Sequence, residues 1–163
     1  MAKKYGYGFI DKSGKVVIEP QFDNVSAFSE GLAQVEKDGK YYFLDKNSKV
    51  VFELSKYDYV NVGDFSEGLA QVRKDYKSGF IDKSGKVVVE PQFDRVEDFS
   101  EGFARVEKDG KWGFIDKNGK VVIELQYDEV SDFSEGLAGV KKDRKWGFLD
   151  KNGKVVIEPQ FYY

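Results

Sequence analysis

Asp-Lys-Asn-Gly-Lys occurs at residues 116–120 and 150–154, Asp-Lys-Ser-Gly-Lys at 11–15 and 82–86, and Asp-Lys-Asn-Ser-Lys at 45–49. Three chemistries could use such a segment. Asp, Asn and Gly in that order match part of a calcium-binding loop. The further carboxylates and closing Glu of such a loop are missing, however, and two Lys within five residues would repel a divalent ion. Gly beside Lys suits a phosphate cradle, but neither the Walker spacing nor a following helix is present. Asp11, Asp45, Asp82, Asp116 and Asp150 also recur with Glu19, Glu53, Glu90, Glu124 and Glu158, which offers carboxylate pairs for glycoside hydrolysis. A catalytic pair is normally a single asymmetric feature with its two pKa values driven apart. Five copies flanked by Lys read instead as turns with cross-strand ion pairs that also protect sheet edges. No catalytic residue and no metal or cofactor site is expected.

Composition narrows the chemistry further. The 163 residues contain no His and no Cys. Imidazole bases, thiolate nucleophiles, zinc-thiolate sites and iron–sulfur clusters are therefore excluded. Ser29, Ser66, Ser100 and Ser134, each in a Phe-Ser-Glu-Gly segment, have no His to activate them and read as turn hydroxyls. The 26 basic and 29 acidic residues are interspersed, so no concentrated positive field exists for nucleic acid. No apolar run is long enough to span a membrane or form a signal peptide, and the compartment is left open.

The segments that position these residues repeat. Phe9, Phe43, Phe80, Phe114 and Phe148 fall at intervals of 34, 37, 34 and 34 residues. The three extra residues lie between Glu53 and Glu67, in a connection that can absorb them at the surface. In the unit Phe99–Tyr127, "GFARVEK" reads as a first strand, "KWGFID" as a second and "KVVIE" as a third. Asp-Gly joins the first pair and Asn-Gly the second, both read as two-residue primed turns. Asn47-Ser48 is the poor copy of the second turn and is expected to be the loosest of the five.

Frequent Gly and an excess of Val, Ile, Phe and Tyr over helix formers argue against helices. Only "SEGLA" has helical character, at most one turn. Pro20, Pro91 and Pro159 are expected to end the third strand, and "QFDRV" can add a short fourth. In "KWGFID", Trp112, Phe114 and Asp116 share one face and Gly113 and Ile115 the other, so both faces are apolar and need cover. Ala33, Ala70, Ala104 and Ala138 beside Val35, Val72, Val106 and Val140 suit sheets stacked closely on one another. A single meander cannot cover itself in this way, but its neighbours can.

"DGKWGFIDKNGKVVIE" at 109–124, "RKWGFLDKNGKVVIEPQF" at 144–161 and the linking "FSEGLA" segments resemble the bacterial WG-repeat (KWG) proteins over essentially the whole chain. The Trp-Gly pair itself survives in two units and becomes Tyr7-Gly8, Tyr41-Tyr42 and Ser78-Gly79 in the others. The resemblance implies tandem β-rich units in proteins that are often envelope-associated or secreted. It brings no catalytic residues.

The reading is therefore all-β: one repeat domain over residues 1–163, about four and a half units, with hairpins near 5–20, 40–54, 77–91, 111–125 and 145–159. Three-stranded antiparallel meanders of about 34 residues are expected to stack into an open solenoid-like or superhelical array. The alternative is a five-bladed propeller-like ring, for which 34 residues is short against the usual ~40–50. Tyr7, Tyr41, Trp112, Trp146, Tyr57 and Tyr59 are the candidate partner-binding aromatics, since such rings combine area with a polar handle. The expected function is a non-enzymatic scaffold for protein or peptide partners. A glycan-binding module using exposed Tyr and Trp is the alternative, and a carboxylate hydrolase the remote one. The terminal aromatics Phe161, Tyr162 and Tyr163 suit an uncapped end that meets another copy, in end-to-end self-association, or a missing unit.

Overall fold

A computed structural model describes residues 6–56 and 58–162. Each repeat folds into its own antiparallel sheet, and five sheets follow one another along the chain. Sheet 1 pairs β1 (Tyr7–Ile10) with β2 (Val16–Phe22). Sheet 2 is a meander of β3 (Asn24–Val25), β4 (Ala33–Lys37), β5 (Lys40–Leu44) and β6 (Val50–Ser55). Sheet 3 comprises β7 (Asn61–Ser66), β8 (Leu69–Lys74), β9 (Lys77–Asp82) and β10 (Val87–Phe93). Sheet 4 has β11 (Arg95–Val96), β12 (Phe103–Lys108), β13 (Lys111–Asp116) and β14 (Val121–Tyr127). Sheet 5 has β15 (Glu129–Val130), β16 (Leu137–Lys142), β17 (Lys145–Asp150) and β18 (Val155–Tyr162).

The full units are thus four-stranded, not three-stranded. The fourth strand comes from "QFDRV", but it belongs to the following sheet: Arg95 and Val96 pair with Glu107 and Val106. The boundary between sheets falls at Asp94, one residue after the aromatic that ends β10.

Proline does not end the third long strand. β2, β10 and β18 run through Pro20, Pro91 and Pro159. At these places the strand is bulged. Phe80 faces Val89 and Ser78 faces Phe93, so two steps on β9 oppose four on β10. The extra residues are unpaired, and the missing proline N–H costs no ladder bond. The bulge drives a carbonyl onto the Gly of the Trp-Gly pair, and a Cβ at Gly79 would stand 2.1 Å from the Val89 oxygen. Sheet 4 keeps its bulge although Leu125 replaces proline, because Gly113 is kept. Sheet 2 has Tyr42 instead, and there Tyr41, Tyr42 and Phe43 face Leu54, Glu53 and Phe52 in regular register. The glycine, more than the proline, goes with the bulge.

The turns also differ from the expected types. In the Asp-Lys-Asn-Gly turn only Gly119 has positive φ, at 83°, and Gly119 N–H bonds the Asp116 carbonyl at 3.0 Å. Asp116 Oδ1 accepts the N–H groups of Asn118 and Lys120 at 2.9 and 3.0 Å. The recurring Asp is therefore a local turn acceptor rather than half of a cross-strand ion pair. Asn47-Ser48 keeps the same bonds, with Ser48 N–H 3.0 Å from the Asp45 carbonyl. Its difference from the sister turns is strain: Ser48 sits at φ 66°. Primed turns occur elsewhere, at Asp109-Gly110 (53° and 78°) and at Glu101-Gly102 (52° and 85°). "SEGLA" is accordingly a tight hairpin turn and carries no helix, with Ser100 and Phe103 exchanging backbone bonds at 2.9 and 3.1 Å.

Cores form between successive sheets, not within one. Sheets 3 and 4 enclose Leu69, Phe80, Val89 and Phe93 from one side and Val96, Phe99, Ala104, Val106 and Ile115 from the other. The same pattern joins sheets 2 and 3 and sheets 4 and 5. Ala33, Ala70, Ala104 and Ala138 are fully buried, so the small side chain lets a neighbouring aromatic face approach closely. The array is open. Ile10, Val16 and Val17 on sheet 1 and Val155, Val156, Phe161 and Tyr162 on sheet 5 remain exposed.

Candidate functional site

One ring contact recurs at every junction. The Phe of the second long strand meets the Phe of the next Phe-Ser-Glu-Gly segment: Phe9 with Phe28, Phe43 with Phe65, Phe80 with Phe99, and Phe114 with Phe133. Centroid distances are 5.6, 6.0, 4.7 and 4.8 Å, all within the range of favourable tilted pairs. Phe148, the fifth in the series, is 36% exposed.

The turn residues add a polar ladder. Ser29 Oγ donates to the Phe65 carbonyl at 2.8 Å, and Ser66 Oγ donates to the Phe99 carbonyl at 3.0 Å. Glu30 accepts the Gly68 N–H at 2.9 Å, and Glu67 accepts the Gly102 N–H at 3.0 Å. Lys83 and Lys117 approach the same two carboxylates at 3.5 Å each. At the last junction Arg105 makes the connection. Its Nη1 donates to the Val130 carbonyl at 3.3 Å, and its Nε lies 2.9 Å from Asp132 as an ion pair rather than an aligned hydrogen bond. The hydroxyls of Ser29 and Ser66 thus bridge units, while the Ser29 backbone closes its own turn with Leu32.

The candidate aromatics do not form one exposed row. Tyr41 is 4% exposed, and its hydroxyl donates to the Val60 carbonyl at 3.1 Å. Burial pushes its phenol pKa up. Trp112 packs against the core between sheets 4 and 5, with the Arg95 guanidinium 5.6 Å from its ring. Tyr59 packs beside the core of sheets 2 and 3. Tyr7 lies exposed on sheet 1, and Tyr57 falls outside the described residues. Of the five that are described, Trp146 alone lines an open apolar groove. Ser131, Gly139, Phe148 and Phe161 complete that groove, of about 510 Å³.

Gly139 explains why the groove is there. It replaces Gln34, Gln71 and Arg105 of the earlier units. The Trp146 ring lies over it, 3.4 Å from where a Cβ would be, and Ser131 Oγ accepts its N–H at 2.8 Å. The change from "AQV" or "ARV" to "AGV" was the sequence signal for this site, and the sequence reading passed over it. A second, larger cleft of about 650 Å³ lies between sheets 1 and 2, beside Glu19, Phe22, Lys37, Tyr42 and Val50.

The Asp11 and Asp82 carboxyls are held below the usual range, first by the hydroxyls of Ser13 and Ser84 and then by backbone N–H groups. A general acid needs the opposite shift. Among the described residues no group of three or more Asp or Glu is placed to hold a metal ion. No helix of the described residues is long and apolar enough to cross a membrane.

Four-stranded antiparallel meanders packed face to face in tandem define a β-propeller-like repeat protein. The chain belongs to the WG containing repeat family, which matches at residues 7–41, 43–77, 79–112, 112–146 and 146–163. Among curated proteins nothing matches it. Hsv2 of Kluyveromyces lactis superposes with TM-score 0.54 at 11% identity, covering 85% of this chain and 51% of that one. Hsv2 of Kluyveromyces marxianus gives 0.53 at 11% identity, covering 86% and 52%. At such identity the likeness concerns the fold alone. The chain spans about half the length of the solved structures it matches.

Proposed function

We propose that the array is a non-enzymatic scaffold that binds protein or peptide partners. The observation that carries this reading is the uncovered face of sheet 5. Phe114 and Tyr127 of sheet 4 are 1% and 7% exposed, whereas their counterparts Phe148 and Phe161 are 36% and 46% exposed. An apolar groove with a few polar groups at its margin suits a peptide-bearing partner. The family match and the propeller-like fold support the same reading, because stacked repeats offer extended surfaces of this kind. A glycan platform would need several exposed rings in line. Tyr41 is instead buried, and Trp112 packs half-buried against a junction core.

The test is selection from a displayed random-peptide library beside a glycan array, both with the full chain. Saturable peptide binding and no sugar binding is the expected result. Sugar binding abolished by Trp146→Ala in a folded protein would replace the scaffold reading with the glycan one.

A further inference from the structure

We propose that the open face of sheet 5 receives the leading β-hairpin of another WG-type unit: two strands joined by a Phe-Ser-Glu-Gly turn. The inference rests on the scaffold reading and names its partner. The internal junctions supply the argument. The trailing face of each sheet presents the same side chains, Phe43, Phe80 or Phe114 on the second long strand with Phe52, Val89 or Ile123 beside it. Each is covered by the same elements of the next unit. These are a Val from the first strand (Val62, Val96, Val130), the Phe of the Phe-Ser-Glu-Gly segment (Phe65, Phe99, Phe133), and the Ala–x–Val of the following strand.

Sheet 5 repeats that trailing face with Phe148, Ile157 and Phe161 in the same register, since Phe148 faces Ile157 and Trp146 faces Phe161. What covers such a face is therefore shown three times over within this molecule. Sheet 1 of a second copy fits less well. It begins with β1, so its described residues hold neither the short strand nor the Phe-Ser-Glu-Gly hairpin that does most of the covering. The occupant must bring the hairpin. The enlarged groove above Gly139 gives the incoming turn Phe space beside Trp146.

The probe is a synthetic peptide with the sequence of residues 93–111, the hairpin that covers sheet 3 within the chain. It is titrated into the isotopically labelled full chain and followed by amide and indole resonances. Saturable shifts confined to Gly139, Trp146, Phe148 and Phe161 are expected. Affinity should fall at least ~10-fold, about 1.4 kcal/mol, for a peptide carrying Phe99→Asp and for the chain carrying Phe148→Asp. The altered peptide leaves the protein untouched, so the test holds even if the protein variant misfolds. Three results would overturn the proposal: no shifts up to about 1 mM peptide, shifts mapping elsewhere, or equal binding of the Phe99→Asp peptide. A free chain that sediments as a dimer, and becomes monomeric with Phe148→Asp, would assign the face to a second copy instead. Library peptides that bind away from sheet 5 would leave the scaffold reading standing while removing this one.

Discussion

The carbonyl of Ile123 lies so close over Gly113 that a Cβ on that glycine would stand 2.3 Å from the oxygen. Those two residues explain the glycine of the Trp-Gly pair. It is required by the bulge of the neighbouring strand, not by the turn chemistry that glycine usually serves.

Gly113→Ala should therefore be severely destabilising, by about 3 kcal/mol or more, because the clash is with backbone that cannot swing aside. Thermal unfolding followed by circular dichroism would measure it. A loss below about 1 kcal/mol, the ordinary surface range, would mean that the bulge relaxes at little cost.

Ser48→Gly should act in the opposite direction. Ser48 holds the left-handed conformation that glycine occupies in the sister turns, and relieving it is expected to stabilise by about 1 kcal/mol. Tyr76, at φ 65° and exposed, should respond similarly in Tyr76→Gly. Denaturant midpoints would show both gains, and an unchanged midpoint would remove strain as the distinguishing mark of the second turn.

Phe114→Ala and Phe148→Ala compare one position with and without a following sheet. Removing the buried ring beside Phe133 should cost about 3–5 kcal/mol. Removing the half-exposed ring on sheet 5 should cost about 1 kcal/mol or less, since no sealed cavity is left. Equal losses from urea unfolding would contradict the open face.

Acid should weaken the fold. The carboxyls of Asp94 and Asp128 are held below their ordinary value, first by hydrogen bonds from the Lys77 and Lys111 ammonium groups. Asp11 and Asp82 are lowered as well, by the hydroxyls of Ser13 and Ser84. A depressed carboxylate contributes stability that is complete above its unfolded value, about 4, and lost as pH falls through the lower folded value. Tm should be level from about pH 7 to 5 and decline below about 4. Asp82→Asn should shallow that decline, and a Tm that rises on acidification would contradict the assignment.

The amino-acid pattern alone indicated the tandem repeat, its three long strands and the buried Ala–x–Val step of closely stacked sheets. These follow from period, alternation and turn residues, which are local. It also marked a short fourth strand at "QFDRV", but only the tertiary pairing assigned that strand to the following sheet. The proline was misread because its missing donor ends a regular strand, whereas here it sits in a bulge where no donor is needed. That bulge depends on a glycine on the adjacent strand, ten or more residues away, which no local rule connects to it.

Tertiary packing decided which aromatics face water. Trp112 and Trp146 have the same local sequence, "KWGF", and both are half-buried, but the first packs against the core shared with sheet 5 while the second lines an open groove. The repeat specifies one trailing face for every unit. Its exposure depends on what comes next in space, because each sheet buries its apolar face only against a neighbour.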